Sequence, residues 1–156
     1  AMAGEGGATP ADFGVSSPHA VVTLVTSESY VPGAVALARS LRACAVAAPS
    51  VCLASGPAAS SDALLAEFDR VVPVDPVANP CAGPDPRYEG VFTKLRAWEL
   101  EEYSRVLFLD ADTVVLRDVS CLFARPARFA AAPDVYAADR FNAGVMLLTP
   151  SRAELA

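Results

Sequence analysis

The stretch RVLFLDADTVVL, residues 105–116, constrains the fold of this chain more than any other. Four apolar residues, Val106 to Leu109, lead into Asp110 and Asp112, with only Ala111 between them. The run reads as a strand with two carboxylates at its carboxyl end, which is where open α/β sheets bind their ligands. In an extended chain, residues two apart share a face, so Asp110 and Asp112 are expected to point together. Two like charges that close repel, and burial makes the repulsion worse. A divalent cation between them removes both penalties, and carboxylate oxygens suit Mn²⁺ or Mg²⁺. The plainer alternative is that the aspartates end a strand or cap a turn. A cap needs one carboxylate, however, and the run resumes as TVVL, so the cation reading is preferred.

The rest of the chain supplies the context. HAVVTLVTS, SVCLAS and RVVPVDPV read as strands, the last at a sheet edge because Pro73 cannot donate to a ladder. Pro32 opens a helix whose apolar face is Val35, Leu37, Ala38 and Leu41. SSDALLAEF reads as a second helix. VFTKLRAWELEEY reads as a third, with Val91, Leu95 and Trp98 on its apolar side. The segment 78–90 holds three prolines and two glycines and is loop. VSCLFA is short and amphipathic, ARFAAAPD is a candidate strand, and FNAGVMLLTP is a further buried strand. Strands alternating with helices predict an α/β fold, a Rossmann-like, mostly parallel sheet with helices on both faces. No glycine fingerprint follows the first strand, which disfavours ordinary dinucleotide and P-loop sites.

Composition narrows the function classes. The chain has 156 residues, 53% of them hydrophobic, and a formal net charge of −6. That is enough for one folded domain and argues against a general nucleic-acid binder. Cys44, Cys52, Cys81 and Cys121 are too scattered to pair at metal-ligand spacing and read as buried small hydrophobes of a reducing, cytoplasmic setting. No segment is apolar and uncharged over the length a membrane span needs. Residues 1–18 read as a disordered lead-in, with neither the basic nor the apolar part of a secretory signal. At the other end, TPSRAELA begins a helix at Ser151 and stops, so the domain spanning 19–156 is expected to be incomplete at its C-terminus.

The string FLDADTVVL also fits the catalytic loop of haloacid-dehalogenase-like phosphatases. There the first aspartate is the nucleophile and the second a general acid. In that class the motif sits on the first strand, whereas three βα-type units precede it here, so position disfavours the phosphatase.

Taken together, VVTLVTSESY, GVFTKLRAWELEEYSRVLFLDADTVVL, DVSCLFA and FNAGVMLLTPS resemble, in order, segments of the glycogenin-like glycosyltransferases. These are glycosyltransferase family 8, retaining enzymes of the GT-A fold that use nucleotide-sugar donors. The resemblance implies Mn²⁺ (or Mg²⁺) held by Asp110 and Asp112 against the diphosphate of a UDP-sugar, with Ala111 near the ribose. It implies that Leu24, Thr26, Ser27 and Tyr30 line the uracil and ribose pocket. Lys94 would lie near the diphosphate or the sugar, and Asn142 and Ala143 would contact the donor sugar. The catalytic set it implies is Lys94, Asp110 and Asp112. The acceptor, carbohydrate or protein, is left open, and a homodimer is a further implication.

The chain departs from the pattern in three places. Ser27 and Ala143 stand where the family often has Asn and Ser. The family's later acidic segment and a C-terminal His that completes the metal site have no counterpart here. The only histidine, His19, stands at the front of the first strand. A non-catalytic, truncated remnant is therefore a third reading. Among the remaining residues, Lys94 could be a solvated helix lysine, Asn142 a turn residue beside Gly144, and Arg87 a solvated loop arginine.

Overall fold

The computed structural model describes residues 17–81, 90–136 and 139–155. The expected lead-in up to residue 16, most of the proline-rich loop, Arg87 and Tyr88 lie outside the described residues. Among the described residues there are six strands, all but β5 drawn from β-branched or leucine-rich runs: β1 (His19–Val25), β2 (Ser50–Ala54), β3 (Arg70–Pro73), β4 (Arg105–Leu109), β5 (Phe129–Pro133) and β6 (Phe141–Leu148). They make one sheet in the order β3-β2-β1-β4-β6-β5. β1, β2, β3 and β4 are mutually parallel, while β6 runs antiparallel to both β4 and β5. Five strands thus point one way and β6 alone is reversed. Pro73 closes the edge strand β3, where its missing N–H leaves no ladder bond unmade.

Helices cover both faces. Helix α1 (Val31–Ala43), with Pro32 in its first turn, lays Ala34, Leu37, Ala38 and Leu41 on one face. Val35 is only half-buried, so Ala34 takes the place expected for it. Helix α2 (Asp62–Glu67) adds Leu64 beside α1, and Arg39 and Arg42 of α1 pair with Glu67. On the opposite face, the expected third helix is a 3₁₀ helix, Val91–Glu99. Its buried residues are Thr93 and Ala97, followed by Leu100 and Tyr103. The expected face of Val91, Leu95 and Trp98 is corrected here, since small side chains let the helix approach the sheet. Thr93 is satisfied by the Val77 amide, which donates to its Oγ1 at 3.1 Å. Trp98 is displaced to the flank, where it stacks on Phe129 with ring centroids 6.0 Å apart.

Covered on both faces, β4 is buried along Val106–Leu109. β6 is buried only in its second half, because Phe141 and Asn142 project beyond the covered area. The cysteines are all free, but they do not behave alike. Cys52 is buried in β2 and Cys44 half-buried, whereas Cys81 and Cys121 are exposed, contrary to the uniform burial expected. Among the described residues no helix is long and apolar enough to cross a membrane.

Candidate active site

β1 and β4 are adjacent and parallel, and strand order reverses between them, since β2 and β3 extend the sheet in one direction and β4 in the other. A crevice forms at such a switch point outside the carboxyl ends of the strands. Here it is a cleft of about 340 Å³ lined by Leu24, Thr26, Ser27, Tyr30, Gly90, Val91, Lys94, Asp110, Ala111 and Asp112. Eight of these residues were singled out from the sequence. Gly90 and Val91 were not, although a glycine ending a loop directly before a helix is the signal of a close backbone approach. A Cβ at Gly90 would stand 3.6 Å from the Thr26 methyl, so the wall is tight there.

The carboxylate pair does not adopt the extended geometry expected. β4 stops at Leu109, and the Thr113 amide donates to the Asp110 carbonyl at 3.0 Å while the Thr113 hydroxyl donates to the same oxygen at 2.7 Å. The chain therefore turns at Asp110, as an Asp-x-x-Thr sequence can when its hydroxyl reaches back to the backbone. TVVL does not resume the strand: Val115 is buried, while Val114 and Leu116 are exposed. The turn separates the environments of the two carboxylates. Asp110 is partly buried, and Asp112 is exposed with no hydrogen bond or ion pair among the described residues.

Lys94 reaches across from the 3₁₀ helix to Asp110. Its Nζ lies 2.7 Å from Oδ1 and 2.9 Å from Oδ2, and it donates more distantly to the Ala143 carbonyl at 3.4 Å. The ammonium also stands 5.6 Å from the centre of the Phe108 ring, within cation–π range. The side chain is 20% exposed, so the solvated default does not hold for Lys94. Asn142 and Ala143 are not in the cleft wall but adjoin it through Gly144. Asn142 Oδ1 accepts from the Gly144 amide at 2.7 Å, and the Gly144 carbonyl accepts from the Asp110 amide at 2.9 Å. A Cβ at Gly144 would meet Asn142 Oδ1 at 2.8 Å and Asp110 Oδ2 at 3.1 Å.

Two carboxylates on one cleft, one of them unpaired and open to solvent, are hard oxygen donors of the kind Mg²⁺ and Mn²⁺ take. Among the described residues no group of three or more His, Cys, Asp and Glu side chains converges. His19 lies at the far end of β1, stacked on Phe123 with centroids 4.8 Å apart.

The family model for glycosyl transferase family 8 matches residues 21–154. Over 141 residues the chain is 38% identical to a glycogenin-1 of Caenorhabditis elegans, covering 85% of this chain and 32% of that protein. It is 35% identical over 133 residues to a UDP-glucuronate:xylan alpha-glucuronosyltransferase 2 of Arabidopsis thaliana, covering 84% and 22%. The chain thus spans a third or less of the length of these relatives. The crystal structure of the galactosyltransferase LgtC in complex with donor and acceptor sugar analogues superposes with a TM-score of 0.68. It shares 20% identity over 87% of this chain and 59% of LgtC, a likeness of fold, which is GT-A. The matched family is not that of the haloacid-dehalogenase-like phosphatases, and the aspartate pair follows the fourth strand. Motif order, sheet topology and sequence similarity agree: the chain belongs to glycosyl transferase family 8.

Proposed function

We propose that this chain forms the donor-binding part of a retaining glycosyltransferase that moves a hexose from a UDP-sugar to a carbohydrate or protein acceptor. The observation that carries the reading is the convergence of Asp110, Asp112 and Lys94 on the cleft that also holds Leu24, Thr26, Ser27 and Tyr30. A nucleotide diphosphate needs an apolar wall for its base, hydroxyls for its ribose and positive charge for its phosphates. Leu24 and the half-exposed Tyr30 ring supply the wall, and Thr26 and Ser27 supply hydroxyls at the end of β1. Lys94 supplies one positive charge. Asp110 and Asp112 would hold Mn²⁺ or Mg²⁺. The name of the Arabidopsis relative also specifies a UDP-sugar.

In the transfer, the bond from the anomeric carbon to a diphosphate oxygen breaks, one to an acceptor hydroxyl oxygen forms, and the hydroxyl proton passes to the departing diphosphate. The chemistry a divalent cation supplies, when bound, is Lewis-acid stabilisation of charge on the leaving diphosphate. Lys94 offsets the same charge, and the apolar wall excludes water around it. Asn142 and Ala143, next to Gly144 and Asp110, adjoin the position of the transferred sugar.

A second reading, nucleotide binding without turnover by this chain alone, is favoured by the absence of a third metal-binding side chain among the described residues. The homodimer and the cytoplasmic setting expected from the sequence belong to the same proposal. Calorimetric titration of UDP in Mn²⁺ and then in EDTA tests the main reading. Binding that needs Mn²⁺ supports it, and equal binding in EDTA overturns it. Transfer from UDP-sugars by the Mn²⁺-loaded chain separates an enzyme from a binding module.

A further inference from the structure

We propose that Lys94 is a built-in counter-ion that holds the cation's place on Asp110 and must leave before a divalent cation can take it. The inference rests on the donor-binding reading above and concerns the order in which that site fills. Both oxygens of Asp110 face one ammonium, at 2.7 and 2.9 Å, so the side of the carboxylate that a chelated cation would use is taken. The ammonium is held there by three further features. It reaches the Ala143 carbonyl, it lies over the Phe108 ring, and it is largely shielded from water. Asp112, one residue beyond Ala111, has no such partner among the described residues.

The two carboxylates are therefore unequal before any ligand arrives. One is neutralised and the other is open. A divalent ion sits about 2.1 Å from a carboxylate oxygen. An ammonium on the same carboxylate would stand within a few ångströms of it, with like charge and little screening between. The cation reaches Asp112 first and Asp110 only as Lys94 departs. Leaving Asp110 strands the ammonium unless another anion accepts it, and a diphosphate entering the cleft is such an anion. Cation and nucleotide then bind synergistically: each makes room, or supplies a partner, for the other.

The test is Mn²⁺ binding to the whole chain, read by the electron paramagnetic resonance signal of the free ion, with and without UDP. In the unsubstituted chain, Mn²⁺ alone binds weakly and UDP tightens it at least about tenfold. In Lys94→Met, Mn²⁺ alone binds about tenfold more tightly than in the unsubstituted chain, and the further gain from UDP shrinks. Lys94→Arg keeps the competing charge and the weak binding. Arg96→Met removes a cation of the same helix that is paired with Glu99 instead, and it leaves Mn²⁺ affinity unchanged. Thermal melts establish that each variant is folded. Mn²⁺ affinity in folded Lys94→Met no higher than in the unsubstituted chain overturns the proposal and leaves the donor-binding reading standing. Equal tightening in Arg96→Met also overturns it, because the effect would then be general charge. No Mn²⁺ uptake by any variant, even with UDP, overturns both.

Discussion

Gly33 and Ala111 meet so closely that a Cβ on residue 33 would stand 2.6 Å from the Ala111 carbonyl oxygen. The first turn of α1 is thereby pressed against the backbone between the two aspartates. Ordinarily Gly→Ala inside a helix stabilises by about 0.5–1 kcal/mol. Here the obstacle is backbone, which cannot swing aside, so the clash decides the sign. Gly33→Ala is expected to destabilise the chain by about 1–3 kcal/mol in urea unfolding and to weaken Mn²⁺-dependent UDP binding. A stabilised variant with unaltered binding would show that the contact is not maintained in solution.

Asp110 and Asp112 are expected to separate in their effects on stability. The Asp112 side chain makes no hydrogen bond or ion pair among the described residues, so Asp112→Asn should leave stability within about 0.5 kcal/mol. UDP affinity in Mn²⁺ should nevertheless fall at least about tenfold. Asp110→Asn loses the ion pair with Lys94 as well and should cost about 0.5–1 kcal/mol on top of the same binding loss. Melts and calorimetry on both variants check this. A large stability loss in Asp112→Asn would indicate a structural role instead.

Acid stability is expected to depend on Glu67. Hydrogen bonds from Arg39 and then Arg42 hold its carboxyl below the ordinary glutamate range. A carboxyl lowered in the folded state contributes stability above its unfolded pKa, and that stability is lost as pH falls through the folded one. The α1–α2 contact should therefore weaken as pH drops below about 4.3. Glu67→Gln should flatten this part of the stability–pH curve measured between pH 5 and 3, and an unchanged slope would remove Glu67 from the account.

Thiol reactivity should separate the exposed cysteines from Cys52. Burial pushes the Cys52 thiol up to about 12, which leaves almost no thiolate at neutral pH. Cys81 and Cys121 are exposed. With Ellman's reagent the exposed pair should react first and Cys52 only after denaturant is added. Rapid labelling of Cys52 in the folded chain, located by mass spectrometry, would contradict the packing of β2.

Much of the sheet was legible because β-branched runs and proline positions report backbone preference directly. Pro73 announced an edge strand and Pro32 a helix start, and both follow from what the ring forbids. Other features depend on partners far along the chain. The turn at Asp110 needs Thr113 to reach back, and four apolar neighbours concealed it as a continuous strand. The buried face of Val91–Glu99 was misread because close approach to a sheet selects small side chains, Thr93 and Ala97, over the larger Val91, Leu95 and Trp98. The gathering of Leu24, Thr26, Ser27 and Tyr30 beside Asp110 was expected from resemblance. Its physical cause, the adjacency of β1 and β4, became visible only in the sheet order. Gly33 went unnoticed and Gly144 was read only as a turn neighbour of Asn142, since what a missing Cβ makes room for is invisible without the neighbour.

β6 follows β5 in sequence but is inserted between β4 and β5 rather than added at an edge. Its register against β4 pairs Leu109 with Val145, and the next pair along brings the Gly144 carbonyl to the Asp110 amide. Until β6 docks, β4 is therefore an open edge that is apolar from Val106 to Leu109. Such edges recruit other chains, and pairings this distant in sequence form slowly. The interval before β6 docks is therefore expected to be a stage of folding at which this edge is open to aggregation. Pulse-labelled hydrogen exchange should find the Asp110 amide among the last to be protected, so that ligand competence and escape from aggregation arrive in the same folding step.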